Sequence, residues 1–441
     1  MANPAIDETF ISRFGASPGG YCQAPGRINL IGEHLDYNGL PVLPMTIDRR
    51  VRVAYGPGEG GRIRIENLDA RFAPAQFVNA PSIPESGQGA WDNYARAVVR
   101  ELNAHFAAGD FPGLHMVVEA TLPDGAGLGS SSALMVAVAL AYLDRLGIRI
   151  DKDISRFELS GLLARAERGT GIAGGGMDQT IALAGDEVHA VKIDFNPPRI
   201  ERIPCLGSHR FVVCNSMVEA RKTGAARHLY NEGPAACRVA RALVERYLQA
   251  EWDPGIELRD LGDLWFGPLC LTHEEAGKVF DKAIPAEPLG FEDAARRIGC
   301  SVAELRATLP RDFPEPARGF RLRAMVRHVR TEFRRVEWMR DALIGGDAEG
   351  AGESMTASHK SCASDYGVSC PELDALVRAA LEAGAIGSRM TGAGFGGCTI
   401  SLVEEEMTGR FVQGMADSYY GGAPPPNAIL PVRAAPGAGY C

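Results

Sequence analysis

The chain of 441 residues carries 46 lysines and arginines against 55 aspartates and glutamates, giving a formal charge of −9 at pH 7. This balance excludes a broad nucleic-acid-binding surface, which needs clustered positive charge to neutralise phosphates. A chain well above about 300 residues predicts more than one domain, and the absence of an apolar run of roughly 18 residues predicts no membrane-spanning helix.

The N-terminal sequence, MANPAIDETFISRF, lacks the positively charged N-terminal region and the apolar core of a secretory signal, so we expect a cytoplasmic protein. In a reducing compartment cysteines remain thiols by default. The ten cysteines form no CxxC pair and no Cys/His cluster with zinc-ligand spacing, so most of them are interpreted as small core residues.

The first half of the chain predicts a sheet followed by helices. From Tyr21 to about Ala120, alternating apolar residues punctuated by glycine and proline predict strands and turns, with one helix in WDNYARAVVRELNAHF. A glycine-rich turn then runs directly into SSSALMVAVALAYLDRL, a predicted buried helix. A second helix is predicted at Glu158–Arg168, and MDQTIALAG and HAVKIDF return to helix and strand.

The second half predicts another domain. Pro197 and Pro198 are expected to begin a domain junction, FVVCNSMVEA reads as a buried strand, and a long helix is predicted at Ala235–Ala250. The acidic, proline-punctuated segment 253–316 predicts a helical insertion. These patterns predict an N-terminal domain at 1–205 and a C-terminal domain at 206–441.

The segment PDGAGLGSSSALMVA, Pro123 to Ala137, has the pattern of a phosphate-binding loop. Glycines at 125, 127 and 129 allow a close backbone approach to a ligand, and the helix that follows points its unpaired N–H groups at the same place. It is neither a Walker motif nor a GxGxxG fingerprint. The structural alternative is a glycine turn capped by serines before a core helix.

The segment APGRINLIGEHLDY places Arg27, Glu33, His34 and Asp36 within a dozen residues. Two carboxylates and an imidazole form a hydrogen-bonding set that suits sugar hydroxyls, and an arginine stabilises charge on a transferring phosphoryl group. The alternative is a solvated turn with surface ion pairs.

The segment GTGIAGGGMDQ delivers Asp178 after three consecutive glycines at the start of an apolar helix. Asp178 could orient or deprotonate an attacking hydroxyl, and Glu167 on the preceding helix offers hard oxygen ligands for Mg²⁺. The alternative makes Asp178 a helix N-cap. A fourth glycine segment, RMTGAGFGGCTISLV at Arg389–Val403, either closes over phosphates or is a tight hairpin.

These four segments, in this order, resemble the GHMP small-molecule kinase superfamily, and APGRINLIGEHLDY resembles the signature of the galactokinase family. The resemblance implies an α+β fold of two domains, an N-terminal ribosomal protein S5 domain 2-like part and a C-terminal ferredoxin-like α/β sandwich, with the active site in the cleft. It implies ATP-dependent phosphorylation of the anomeric hydroxyl of galactose.

The resemblance also implies roles for individual residues. Arg27 would stabilise the transferring phosphoryl group, and Asp178 would act as base toward the C1 hydroxyl or position it. The remaining roles are sugar binding by Glu33, His34, Asp36, Gly175 and Tyr230, phosphate binding by Gly125, Gly127, Gly129, Ser130 and Ser131, nucleotide contact by Asn215 and Ser216, and Mg²⁺ binding by Ser131 and Glu167.

The substrate stays open between galactose, N-acetylgalactosamine and another galactose-like sugar. GGGMDQ, CNSMVEA, SHKSC, SCPELD and the helical insertion resemble the branch that contains N-acetylgalactosamine kinase, whereas Tyr230-Asn231 resembles a pair found in galactose-specific members. Gly233 stands where an arginine often follows that pair. We expect a sugar and ATP as partners, with no nucleic acid, membrane or obligate protein partner; a galactose sensor without turnover is the rival from another class.

Overall fold

The computed structural model describes residues 4–106, 109, 111–123, 125–172, 174–219, 227–310 and 313–441. No helix in these ranges is long and apolar enough to cross a membrane. All ten cysteines are free thiols.

A six-stranded sheet, in the order β12-β1-β2-β5-β3-β4, forms the first layer. Its strands are β1 (Gly20–Ile31), β2 (Leu43–Gly58), β3 (Arg62–Asn67), β4 (Ala75–Val78), β5 (Gly113–Ala120) and β12 (Gly439–Tyr440). β3 and β5 are parallel and the other neighbours are antiparallel. In β3 the alternation of Arg62, Ile63, Arg64 and Ile65 places both isoleucines in the core, as the period of two requires.

Helices cover one face of this sheet. They are α2 (Asn93–Phe106), α3 (Ser130–Leu146), α4 (Arg156–Gly169) and α5 (Met177–Ala184), while α1 (Pro4–Phe14) lies against β5 and β2. α3 is buried along most of its length because its alanine, valine and leucine side chains pack on β1, β2, α2 and α5. α4 begins with a capping box between Ser155 and Glu158, which fixes its start two residues before the predicted one.

The predicted junction at Pro197 and Pro198 lies in a β-hairpin, with Pro197 in the turn and Pro198 at the start of the second strand. It joins β6 (His189–Phe195) to β7 (Pro198–Pro204), which pair antiparallel. The chain enters the second sheet only after this hairpin, at β8 (His209–Asn215). The second sheet has the antiparallel order β11-β8-β10-β9, with β9 (Gly387–Thr391), β10 (Cys398–Glu404) and β11 (Ile429–Val432).

The second half of the chain contributes long helices. They are α6 (Arg227–Glu251), α11 (Leu322–Gly345), α12 (Ala348–Ser361), α13 (Pro371–Glu382) and α14 (Thr408–Ser418), with a π-helical turn at Cys362–Tyr366 after α12. α6 begins before the predicted Ala235 and continues through Pro234. At the C-terminus, β12 returns to pair with β1 of the first sheet.

The segment 253–316 is helical, as its pattern predicts. It contains α7 (Asp263–Phe266), α8 (His273–Ala283), α9 (Phe291–Ile298) and α10 (Val302–Thr308). α8 and α9 pack on α6, and α8 also contacts α11. The ring of Trp265 lies edge-on to Phe333 of α11, with 5.4 Å between centroids, and this segment belongs to the main hydrophobic core, which extends through both halves of the chain.

Candidate active site

A cavity lies where the end of β1, the N-terminus of α5 and the turn after β9 meet. Seven residues predicted from the sequence line it: Arg27, Glu33, His34, Asp36, Glu167, Asp178 and Tyr230. They come from β1 and its turn, from α4, from α5 and from α6. The fold therefore brings together side chains that lie up to 203 positions apart in the sequence (from 27 to 230).

Arg27 and Asp178 form a bidentate ion pair. Arg27 Nε donates to Asp178 Oδ1 at 2.8 Å and Nη2 donates to Oδ2 at 2.7 Å, and the two side chains are 2% and 14% exposed. Burial disfavours the charged guanidinium, but Asp178 and Glu33 outweigh it and raise the pKa of Arg27, so it stays protonated. A hydroxyl that approaches this pair would meet a fixed negative and a fixed positive charge side by side.

Arg27 also reaches the glycine loop. It lies next to a register shift in the pairing of β1 with β2, and its backbone N–H donates to Leu128 O at 2.9 Å. Its Nη1 donates to the carbonyl oxygen of Gly127. One side chain thus connects the candidate phosphate loop to the acid on α5.

Asp178 is not the N-cap of α5. The N-cap is Gly176, whose φ of 106° lies in the left-handed region that glycine adopts without strain. Asp178 lies in the first turn of the helix, where the N-terminal dipole favours a negative charge. Its carboxylate faces Arg27, so the N-cap alternative for this aspartate is wrong.

Asp36 is held against the same helix terminus. Its Oδ2 accepts hydrogen bonds from the backbone N–H groups of Gly175 at 3.1 Å and Met177 at 3.4 Å. Burial and the nearby charge of Asp178 raise the pKa of Asp36 to about 6. Gly175 lies behind Asp36, not among the cavity-lining residues: a Cβ at this position would lie 2.4 Å from the Asp36 carbonyl carbon.

Glu33 and His34 are buried, so the alternative of a solvated turn is wrong. Glu33 Oε1 accepts from Arg389 Nη1 at 3.2 Å and from the backbone N–H of Gly392 at 2.8 Å, which ties the turn after β1 to the C-terminal glycine segment. His34 has a φ of 64° and its Nδ1 lies 2.9 Å from Tyr37 Oη. Burial raises the pKa of Glu33 despite the attraction of Arg389.

Tyr230 lies on the first turns of α6 and lines the cavity. Burial raises the pKa of Tyr230 well above its ordinary value, so the phenol is neutral. One turn further, a Cβ on Gly233 would lie 2.7 Å from Tyr366 Oη. A side chain at this position would therefore collide with the Tyr366 ring unless that ring moved.

The glycine loop has the backbone that its sequence predicts. Gly125, Gly127 and Gly129 have φ values of 62°, 73° and 77°, and Gly129 is the N-cap of α3. Ser130 and Ser131 are the first residues of that helix, where backbone N–H groups lack intrahelical acceptors. Such a terminus is suited to an anion.

Two other segments lie beside this loop: the C-terminal glycine segment and the segment that follows β8. A Cβ on Gly392 would lie 2.7 Å from Gly127 O, and a Cβ on Gly125 would lie 2.8 Å from Glu219 Cγ. β8 ends at Asn215, and the next residue, Ser216, donates its backbone N–H to Gly397 O at 2.8 Å. The C-terminal glycine segment is indeed a hairpin between β9 and β10, and the hairpin packs on the candidate phosphate loop.

Glu167 offers the oxygen ligands that the sequence predicts for a metal. Its Oε2 accepts from Gln179 Nε2 at 3.1 Å, and Gln179 Oε1 is buried with no hydrogen-bond partner among the described residues. Within those residues no three His, Cys, Asp or Glu side chains cluster as a metal site. A buried carboxylate and an orphaned amide oxygen fit Mg²⁺, which takes few protein ligands and completes its shell with water and phosphate oxygens.

Sequence reasoning missed several residues of this site. Tyr37, Gln179 and Gly392 line the cavity, and Arg389 holds Glu33. Tyr37, Gln179 and Gly392 belong to three of the four motifs described above, and this membership could have identified them as site residues. Arg389 is the first residue of the last motif, but its contact with the distant Glu33 cannot be predicted from the neighbouring sequence.

Three family models match consecutive parts of the chain. The galactokinase galactose-binding signature matches residues 8–57, the GHMP kinases N terminal domain matches residues 93–186, and the GHMP kinases C terminal domain matches residues 339–421. These ranges contain β1 and its turn, the glycine loop with α3 to α5, and the segment from Arg389 to Gly397.

Relatives and solved structures match almost the whole chain. A galactokinase of Roseiflexus sp. (strain RS-1) is 35% identical over 440 residues, covering 98% of this chain and 96% of the relative. A galactokinase of Saccharomyces cerevisiae is 30% identical, covering 95% of this chain and 89% of the relative. The crystal structure of Lactococcus lactis galactokinase complexed with galactose superposes with a TM-score of 0.77 at 26% identity, covering 99% of both chains.

Proposed function

The chain belongs to the galactokinase family of GHMP kinases, and from this membership we propose that it transfers the γ-phosphate of ATP to the anomeric hydroxyl of galactose, giving α-galactose 1-phosphate and ADP. The observation that carries the proposal is the buried Arg27–Asp178 ion pair in the cavity, whose arginine also donates to Gly127 O of the glycine loop. A sugar kinase needs an anionic acceptor for the hydroxyl proton and a cation for the phosphoryl oxygens at one point.

Asp178 and Arg27 have separate roles in this reaction. The acceptor oxygen forms the new O–P bond while the bond between Pγ and the bridging oxygen of ADP breaks, and the hydroxyl proton passes to Asp178. Arg27 holds the Asp178 carboxylate in a fixed position. From there Asp178 orients the hydroxyl and accepts its proton as the O–P bond forms. Arg27 stabilises the charge on the phosphoryl oxygens.

The sugar would be held by the turn after β1. Glu33, His34 and Asp36 present acceptors and a ring nitrogen to the cavity, and Tyr230 closes it from α6. Both contacts that Glu33 makes to Arg389 and Gly392 use Oε1. Neutral hydroxyl-rich substrates suit this set better than a carboxylate substrate, which would need a cationic clamp.

ATP would be bound by the glycine loop and the N-terminus of α3. The backbone N–H groups of Ser130 and Ser131 are available to phosphate oxygens, and Asn215 and Ser216 would contact the nucleotide. Glu167 and Ser131, with Gln179 Oε1 close to Glu167, would hold Mg²⁺. The ion supplies positive charge to the phosphates when it is bound.

The identity of the acceptor sugar is less certain from the motifs than the reaction type. The family supports galactose, and N-acetylgalactosamine stays the alternative because the branch motifs and Tyr230-Asn231 point in different directions.

The decisive experiment measures ADP release with galactose, N-acetylgalactosamine, glucose, arabinose and mevalonate side by side, with and without Mg²⁺. We expect turnover with galactose that requires the metal. Binding of galactose without ADP release would replace the kinase by a sensor, preference for N-acetylgalactosamine would change the substrate, and turnover with mevalonate alone would overturn the sugar assignment.

A further inference from the structure

Helix α11 holds the turn after β1 by its backbone. Glu332 Oε1 accepts hydrogen bonds from the backbone N–H groups of Gly32 at 2.9 Å and Glu33 at 3.3 Å, and His328 Nε2 lies 3.0 Å from Glu33 O. Since a carbonyl oxygen only accepts, His328 donates from Nε2. His328 and Glu332 are four residues apart and share one helix face, so this face binds both polar groups of the Glu33 backbone.

These contacts are fully buried. His328 and Glu332 are both 0% exposed, and Ser358 on α12 donates to Glu332 Oε1 at 2.6 Å while Arg335 Nε donates to Oε2 at 2.7 Å. Burial disfavours the charged carboxylate, but Arg335 and His328 outweigh it and lower the pKa of Glu332 to about 2. The carboxylate is therefore ionised and accepts from four donors. We call His328, Glu332 and Ser358 the α11 clamp.

The turn that the clamp holds contains a strained residue. His34 follows Glu33 directly and has a φ of 64°, in the left-handed region that costs a residue with a Cβ free energy. Gly32, two residues earlier, has a φ of 100° without that cost. A strained non-glycine residue persists where the surrounding contacts over-determine its conformation, and the clamp supplies such contacts immediately before it.

The strained conformation has a consequence for the cavity. His34 and Asp36 line it, whereas none of the three clamp residues does. The imidazole of His34 stacks on Tyr366 with 4.5 Å between centroids, so a shift of the turn would displace the ring from that surface. The position of the sugar-binding groups thus depends on contacts made outside the cavity.

We propose that the α11 clamp positions the sugar-binding turn, so that Glu332 and His328 control the affinity for the sugar without touching it. The proposal rests on the proposed function, since it assumes that the cavity binds a sugar. Glu332 and His328 are positioning residues. They act on sugar binding and leave the phosphoryl-transfer pair, Arg27 and Asp178, in place.

The test compares Glu332→Gln and His328→Phe with the wild-type enzyme. Both changes keep the side-chain size roughly constant and remove charge or the donating N–H. We expect the KM for galactose to rise about tenfold, and kcat and the KM for ATP to stay within about twofold, because ground-state and transition-state binding of the sugar are lost equally. Ser358→Ala, which removes one donor to Glu332, should give a smaller rise.

The control is Arg340→Gln on the same helix. Arg340 pairs with Glu201 of β7 and does not contact the turn. It should lower the melting temperature while the KM for galactose stays unchanged at temperatures where the protein is folded. A purely structural role for the clamp predicts the same result for His328→Phe, and that result would overturn the proposal.

The proposal stays testable if Glu332→Gln does not fold and if the wild-type protein has no kinase activity. If Glu332→Gln does not fold, His328→Phe and Ser358→Ala decide the question by the same KM measurement. If the wild-type protein binds galactose but releases no ADP, the proposed function fails, and the clamp is then tested by calorimetric galactose binding. Unchanged galactose affinity in folded His328→Phe would then reject it.

Discussion

Arg27 and Asp178 compensate each other's charge in a place that little water reaches. Taking one charge away would leave the other buried without its partner, which costs more than the pair itself contributes. A substitution at this pair therefore changes both chemistry and stability, and the two effects have to be measured separately.

Replacing Asp178 by asparagine should lower kcat by about two orders of magnitude or more, because the amide cannot accept the hydroxyl proton and turns an N–H group toward Arg27. The measurement is ADP release, with galactose affinity determined by calorimetry. Asp151→Asn is the matched control, since Asp151 forms an exposed ion pair with Arg156 at 3.0 Å, and it should leave kcat unchanged. Full turnover in Asp178→Asn would remove Asp178 from the mechanism.

Asp36 presents the opposite case, a carboxylate that the fold tolerates at a cost. Its pKa is raised to about 6, so the ionised form is less favourable in the folded than in the unfolded chain. The cost is fully present above pH 6 and disappears as the pH falls toward the unfolded value of about 4. It amounts to at most about 3 kcal/mol for a shift of roughly two units.

Asp36→Asn should therefore raise the free energy of unfolding at pH 7.5 and weaken galactose binding, because the amide accepts fewer hydrogen bonds from sugar hydroxyls. In the wild-type enzyme the KM for galactose should rise as the pH falls through about 6, whereas the variant should show no such rise. Denaturant unfolding at pH 7.5 and pH 4.5 and the KM profile check both parts. An equal stability difference at the two pH values would contradict the assignment of the cost to Asp36.

At the scale of elements, the hairpin between β9 and β10 packs its glycines on the glycine loop. Gly392→Ala places a Cβ 2.7 Å from Gly127 O, so the hairpin or the loop must shift. We expect a higher KM for ATP and a loss of roughly 1–3 kcal/mol in the free energy of unfolding from the strained φ and the displaced contact. Steady-state kinetics with varied ATP and thermal melts measure these effects.

The matched control for this prediction is Gly384→Ala. Gly384 has a φ of 96°, close to the 86° of Gly392, but a Cβ there would have no atom within 4 Å. It should lose stability through backbone strain alone and keep the KM for ATP. If the two variants had the same kinetics, the contact between hairpin and loop would have no role in nucleotide binding.

The elements were predictable where local chemistry decides them. The glycine loop, the turn after β1 and the start of α5 carry their glycines and carboxylates within a few residues. The turn and the start of α5 line one cavity, and Arg27 connects the glycine loop to Asp178 of α5. Helix α4 begins two residues before the predicted Glu158, at its capping box, and ends one residue after the predicted Arg168. α6 extends further toward the N-terminus than predicted because the helix continues through Pro234.

The hydrogen bonds of the α11 clamp to the turn after β1 could not be predicted from the neighbouring sequence. Glu332 and His328 stand in LRAMVRHVRTEFRRVEWMR, which reads as an ordinary charged amphipathic helix. Their partners Gly32 and Glu33 lie about 300 positions earlier in the chain. Which charged side chains become buried depends on how the two sheets and their helices pack, and no periodicity in the sequence encodes that.

At the scale of the whole molecule, the two halves of the chain share buried polar contacts. Arg389, which is 0% exposed, donates from Nη1 to Asn29 O at 2.8 Å and to Glu33, and the backbone N–H of Asn29 donates to Thr391 Oγ1 at 2.9 Å. The C-terminal strand β12 returns to β1. Contacts of this kind join β9 of the second sheet to β1 of the first.

We therefore expect the protein to unfold in one calorimetric transition with equal calorimetric and van't Hoff enthalpies, although many chains of this length show several. Arg389→Met keeps the length of the side chain but leaves Glu33 buried without its cation, so it should lower the free energy of unfolding by about 3–5 kcal/mol and separate the two halves into distinct transitions. Arg323→Met, which removes an ion pair with the exposed Asp281, is the control and should preserve a single transition near the wild-type temperature. Two transitions in the wild-type protein would show that the contacts around Arg389 do not couple the halves, because each half would then melt independently despite the buried ion pair between them.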